Sequence, residues 1–205
     1  IKAGVLREAI LLDRETDIAL KIFTTTGVGG VTLTDGAYDQ DTITSSPITD
    51  INSGTAAILR NTGRKANFMF MGHRTFKILS EHQDFLDRIK WSSLGVMTEN
   101  LMGQVLNIEK VAVNNVIQRT TNEGISATNG FLFDTKVLVG FNDNNPSLRS
   151  MNLALQFTGI YGDKAPQVRR YYQDEIDCDV VNLTWMYDIR VIQSLSGYLI
   201  NSANS

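Results

Sequence analysis

Val181, Leu183, Trp185, Tyr187, Ile189 and Val191 alternate with Asn182, Thr184, Met186, Asp188 and Arg190, an unbroken period of two over eleven residues. That period is the signature of a strand with one covered face, so the run predicts a single long antiparallel strand. It is about twice the usual strand length, and a ribbon of this kind invites uncontrolled pairing if its edges and one face stay bare. Met151, Leu153, Leu155 and Phe157, alternating with Asn152, Ala154, Gln156 and Thr158, supply a second strand. Something is expected to cover the pair.

The N-terminal segment carries the helical period instead. Val5, Ala9, Leu12, Thr16, Ala19, Leu20 and Phe23 fall on one stripe; Leu11, Ile18 and Ile22 form a second, divided from it by Glu8 and Glu15. Arg7, Asp13, Arg14, Asp17 and Lys21 occupy the remaining face, with Asp17 and Lys21 spaced for an i,i+4 pair. Two apolar stripes suit a helix with two packing partners, and about 22 residues would make a rod of roughly 33 Å. An ordinary core helix with one broad apolar face fits the pattern equally well. With the ribbon, the two-faced version describes an elongated subunit built to lie against copies of itself.

Between these ends the pattern is mixed. GVGG at 27–30 reads as a turn. Ser46 is placed to cap and Pro47 to open a helix in which Ile48, Ile51, Thr55, Ile58, Leu59 and Thr62 keep the period until Gly63. NFMFM then reads as a short buried strand and Gly72 as a turn. Two brief helices follow, the first burying Phe76 and Leu79, the second holding Phe85, Leu86 and Ile89. Thr98 caps a further helix that turns Leu101, Met102, Val105 and Leu106 inward, and EKVAV is another strand.

Composition limits what such a chain can do. With 205 residues, 42% of them hydrophobic, it can bury a real core, as one large domain or two small subdomains sharing a sheet. Nineteen basic against 22 acidic residues, with no long Lys/Arg run, argue against dedicated nucleic-acid binding. Cys178 stands alone, which excludes an intrachain disulfide or a cysteine metal knuckle. No apolar run approaches a membrane span and the first residues lack signal-peptide character, so a soluble, intracellular protein is expected. The sequence opens without Met, as expected of a segment from a longer gene product.

The search for chemistry is negative. GVGG has no following G-K-[ST], so no phosphate loop is expected. His73 and His82, nine apart and without H-E-x-x-H spacing, fall short of a zinc site. Cys178 lies in QDEIDCD, whose charge disfavours a thiolate nucleophile. Asp174, Glu175, Asp177 and Asp179 lack the glycine and spacing of a calcium loop and read as a solvated connection. Asp84, Asp87 and Arg88 read as first-turn carboxylates and a helical ion pair. No catalytic, metal or cofactor-binding residue is assigned, and no cofactor is expected.

Several motifs in fixed order add a resemblance. TGRKAN before the short strand, MG before an aromatic helix, H-x-x-x-L-D-R-I-K, G-V-M-T-E-N-L and I-E-K-V-A-V resemble the central region of tailed-bacteriophage major capsid proteins. PSLRSMNLALQFTG, VRRYYQDE and GYLINSA continue it, so the likeness runs through nearly all 205 residues. It implies the α+β capsid fold shared with encapsulin nanocompartments. Residues 1–46 and 149–187 would form a peripheral domain with a spine helix at 3–26 and the β-ribbon. Residues 47–148 and 188–205 would form an axial domain, a mixed sheet flanked by helices. The arm and extended loop that the family places before the spine helix are expected to be absent here, so no crosslinking residue carries over.

The function implied is a shell protein assembling as hexamers and pentamers around phage DNA, through head-to-tail contacts that close into rings. The virion capsid would be its location and the bacterial cytoplasm its place of assembly. Its partners would be copies of itself, DNA touched non-specifically at most, and scaffold, protease, portal or decoration proteins, with no membrane. Arg7, Arg14, Lys21, Arg169 and Arg170 are candidate intersubunit contacts, against the equal alternative of solvated surface charge. The rival functions are an encapsulin shell holding cargo protein and a soluble enzyme using the His73/His82 region.

Overall fold

The computed structural model describes residues 2–24, 28–32, 38, 46–90, 96–119, 126, 129–145, 147, 150–159 and 167–201. In chain order these form α1 (Lys2–Thr24), β1 (Gly29–Thr32), α2 (Pro47–Thr62), β2 (Phe68–Gly72), α3 (His73–Glu81), α4 (Gln83–Ile89), α5 (Glu99–Leu106) and β3 (Lys110–Asn114). The short strands β4 (Ile117–Arg119) and β5 (Asn129–Phe131) follow, then β6 (Val137–Gly140), β7 (Ala154–Gly159), β8 (Gln167–Gln173), β9 (Cys178–Thr184), β10 (Met186–Val191) and β11 (Gly197–Asn201). Two compact units result, Ile1–Thr24 with Ala154–Val191, and Thr25–Leu153 with Ile192–Ser205.

The larger unit is built on a mixed sheet in the order β1-β11-β6-β2-β3, parallel at its two outer pairs and antiparallel within. Because side chains alternate along a strand and directly paired residues share a face, Met69, Met71, Val137, Val139 and Ile200 all point one way, and all are fully buried. The helices meet this face with Ile48, Ile51, Ile58, Leu79, Phe85, Met102 and Leu106. On the other face Phe70 meets Phe133 edge to face, ring centres 4.7 Å apart. Within 67–91, Leu79, Phe85 and Ile89 are buried; Phe68, Phe70 and Phe76 are half-buried, and Leu86 is 39% exposed. The methionines between the phenylalanines hold the strand to the core.

Local signals fixed most helix ends. Pro47 opens α2, and Gly63 closes it at φ 67°, its N–H reaching the Leu59 carbonyl. Ser46 does not cap through its side chain; its carbonyl accepts the Asp50 N–H instead. Leu59, on the expected apolar stripe, is 51% exposed. Thr98 Oγ1 accepts the Leu101 N–H and caps α5. The chain at GVGG is not simply a turn, since Gly29 and Gly30 belong to β1 and pair in parallel with Tyr198 and Leu199. A Cβ at Gly30 would sit 2.1 Å from the Leu199 carbonyl oxygen, so a bare glycine is what allows this strand to close on its neighbour. Strand β1 therefore belongs with the sheet, not with the helix that precedes it. Residues 33–45 lie outside the described residues apart from Tyr38, a buried side chain whose hydroxyl donates to Asp50 at 3.0 Å.

In the smaller unit α1 packs on β9 and β10. Strand β10 pairs antiparallel with β7, and β9 pairs antiparallel with β8. The expected eleven-residue strand is therefore two, broken at Trp185. Burial still alternates through the break, with Val181, Leu183, Trp185, Tyr187, Ile189 and Val191 covered and the residues between them exposed. Periodicity reports which side a residue faces; it carries no information about which strand lies alongside. Thr184 pairs with Gln167, where β8 begins, and Met186 with Gly159, where β7 ends, so the run changes partner at Trp185. The other expected strand starts at Ala154, not Met151, because Leu153 donates its N–H to the Phe141 carbonyl and accepts from Ile192.

Candidate functional site

The polar residues of 67–91 are used within the fold. His82 is buried, and its Nδ1 accepts the Asp84 N–H at 3.2 Å to cap α4. His73 is exposed at the start of α3, its ring centre 6.1 Å from that of Phe131. Asp87 accepts from Gln83 Nε2 at 2.7 Å, and no ion pair with Arg88 occurs among the described residues. Beside them Thr75 Oγ1 donates to the Asp134 carbonyl at 2.7 Å, while Arg74 pairs with the Asp134 carboxylate at 3.5 Å. Each serves a cap, a turn or a helix surface.

Two carboxylates of the acidic run in the β8–β9 hairpin are likewise engaged. Tyr172 donates to Asp177, and Arg170 pairs with Asp179 at 2.5 Å. Asp179 holds the exposed Arg170 guanidinium above its ordinary pKa, and the Asp177 bond raises that of Tyr172. No cluster of three or more His, Cys, Asp or Glu side chains that could hold a metal occurs among the described residues. No helix among them is long and apolar enough to cross a membrane.

Large exposed apolar groups of the smaller unit lie on α1, on the β8–β9 hairpin, and at Phe157 of β7 and Met186 of β10. On α1, Leu11, Ile18, Ala19 and Ile22 are at least partly covered, whereas Val5, Ala9, Leu12 and Leu20 of the first expected stripe are exposed. Val5 is 61% and Leu20 56% exposed. The hairpin exposes Val168, Tyr171, Tyr172 and Ile176, each by about half. Exposed apolar groups mark surfaces that associate where they join into one patch.

The five basic candidates divide. Arg7, Lys21, Arg169 and Arg170 have exposed side chains, and Arg170 already holds Asp179. Arg14 is half-buried, its guanidinium carbon 5.0 Å from the centre of the Trp185 ring. Tyr187 donates to Asp17 at 2.8 Å and so ties the strand to the helix at that residue. Burial, then the Asp17 bond, pushes the Tyr187 hydroxyl up to about 12. Sequence spacing missed this helix-to-strand cluster, although Trp185 and Tyr187 stand on the covered side of the alternating run. The larger unit also holds a polar cleft of about 830 Å³, lined by Lys65, Asn67, Glu99, Gln104, Asn107 and Glu109 over an apolar floor.

No family model matches the chain. Over 73 residues, 36% of its length, it is 33% identical to the major capsid protein of Burkholderia phage BcepMu, and the match covers 24% of that relative. Its fold matches that of a phage-related protein from Bordetella bronchiseptica RB50 at TM-score 0.82 and 17% identity, over 98% of this chain and 66% of that one. The chain has a phage capsid fold. The same capsid fold relates it to a virus-like particle from Pyrococcus furiosus, at TM-score 0.56 and 12% identity over 95% of this chain and 64% of that one. A chain of Mycobacterium phage Che8 matches at TM-score 0.57 and 13% identity, over 100% of this chain and 62% of the other. The chain thus spans about a quarter of its curated relative, 24%, and just under two thirds of these solved chains, 62–66%.

Proposed function

We propose that this chain is part of the major capsid protein of a tailed phage, a structural protein whose copies assemble as hexamers and pentamers into an icosahedral shell around DNA. The observation that carries this reading is the 33% identity over 73 residues to a phage major capsid protein, in a chain 98% of which matches the fold of a phage-related protein. In this reading the smaller unit is the peripheral domain, with α1 as its spine helix, and the larger unit is the axial domain. The apolar groups exposed on α1 and on the β8–β9 hairpin are then the surfaces that neighbours cover, and Arg7, Lys21 and Arg169 supply charge at their margins. Arg14 and Arg170, held by Trp185 and Asp179, act first within their own subunit. The role is structural, not enzymatic, DNA is enclosed without specific contact, and assembly takes place in the host cytoplasm.

The test is negative-stain microscopy of the full-length product with assay of what the particles contain. Uniform polyhedral particles are expected, filled with DNA when produced in an infected host. A strictly monomeric product would overturn the proposal. Particles packed with a cargo protein and no DNA would replace it with an encapsulin-type shell.

A further inference from the structure

We draw no further inference here: the strongest candidate, the polar cleft of the larger unit between α5 and the starts of β2 and β3, offers amides and opposed charges over an apolar floor, and nothing in the structure shows what covers it.

Discussion

Arg14 holds its guanidinium carbon 5.0 Å from the centre of the Trp185 ring, and Trp185 meets Tyr187 edge to face at 5.7 Å. The contact joins α1 to the residue at which the alternating run changes partner strand. Arg14 Nε and Trp185 Nε1 are both buried and have no hydrogen-bond partner among the described residues, so attraction between cation and ring face is the interaction that the pair retains.

A double-mutant cycle with Arg14→Met and Trp185→Leu should return a coupling of about 1 kcal/mol in urea unfolding. Coupling indistinguishable from zero would mean that the two residues merely lie close. If Arg14 acts within its subunit, Arg14→Met in the full-length protein should leave shell assembly unchanged in microscopy.

Glycine at 72 is a packing requirement. A Cβ there would lie 1.8 Å from the Phe133 carbonyl oxygen, a backbone atom that cannot rotate aside. Gly72→Ala should lower stability by about 3 kcal/mol. Gly140→Ala meets only the ring of Phe68, at 2.5 Å, and a side chain can shift, so about 1 kcal/mol is expected. Urea midpoints of the two variants check the order; equal losses would contradict it.

Two tyrosines make the fold sensitive to alkali. Burial first, then the Asp17 bond, raises Tyr187 to about 12, and burial, then the charge of Asp50, raises Tyr38 still further. A phenol with a folded pKa above its unfolded value is favoured by folding in its neutral form. Its contribution is therefore complete below the unfolded pKa of about 10 and is lost as pH rises from there through the folded value. Stability measured by urea unfolding should fall from about pH 10 towards 12, and Tyr187→Phe should make that fall shallower. An unchanged slope in the variant would remove Tyr187 from the account.

The two neighbouring arginines of the hairpin should behave differently on charge reversal. Arg170→Glu places a carboxylate against Asp179, the present partner at 2.5 Å, and should loosen the hairpin locally. Because both side chains are largely exposed, the loss of stability should be small. Arg169→Glu tests the neighbour-facing role: the full-length variant should remain folded by circular dichroism while failing to form particles. Normal particles from Arg169→Glu would return Arg169 to ordinary surface charge.

Local chemistry made much of this fold legible. Pro47 and Gly63 bound α2, Thr98 caps α5, and NFMFM forms β2, because each depends on backbone geometry within a few residues. The order of motifs was enough to indicate the capsid fold. The histidines were harder to place, since an imidazole that caps α4 and one set against Phe131 differ only in their surroundings.

The sequence by itself determined which residues of the alternating run face inward, where α2 starts and stops and where α5 starts, since periodicity and these local signals act through the chain's own backbone. Only the tertiary structure decided that Trp185 divides the run between β8 and β7, that Gly29 and Gly30 close on β11, and that α1 covers one apolar stripe and leaves much of the other exposed. Those outcomes depend on which distant segments compete for the same hydrogen bonds and the same buried surface. No local window of sequence records that competition.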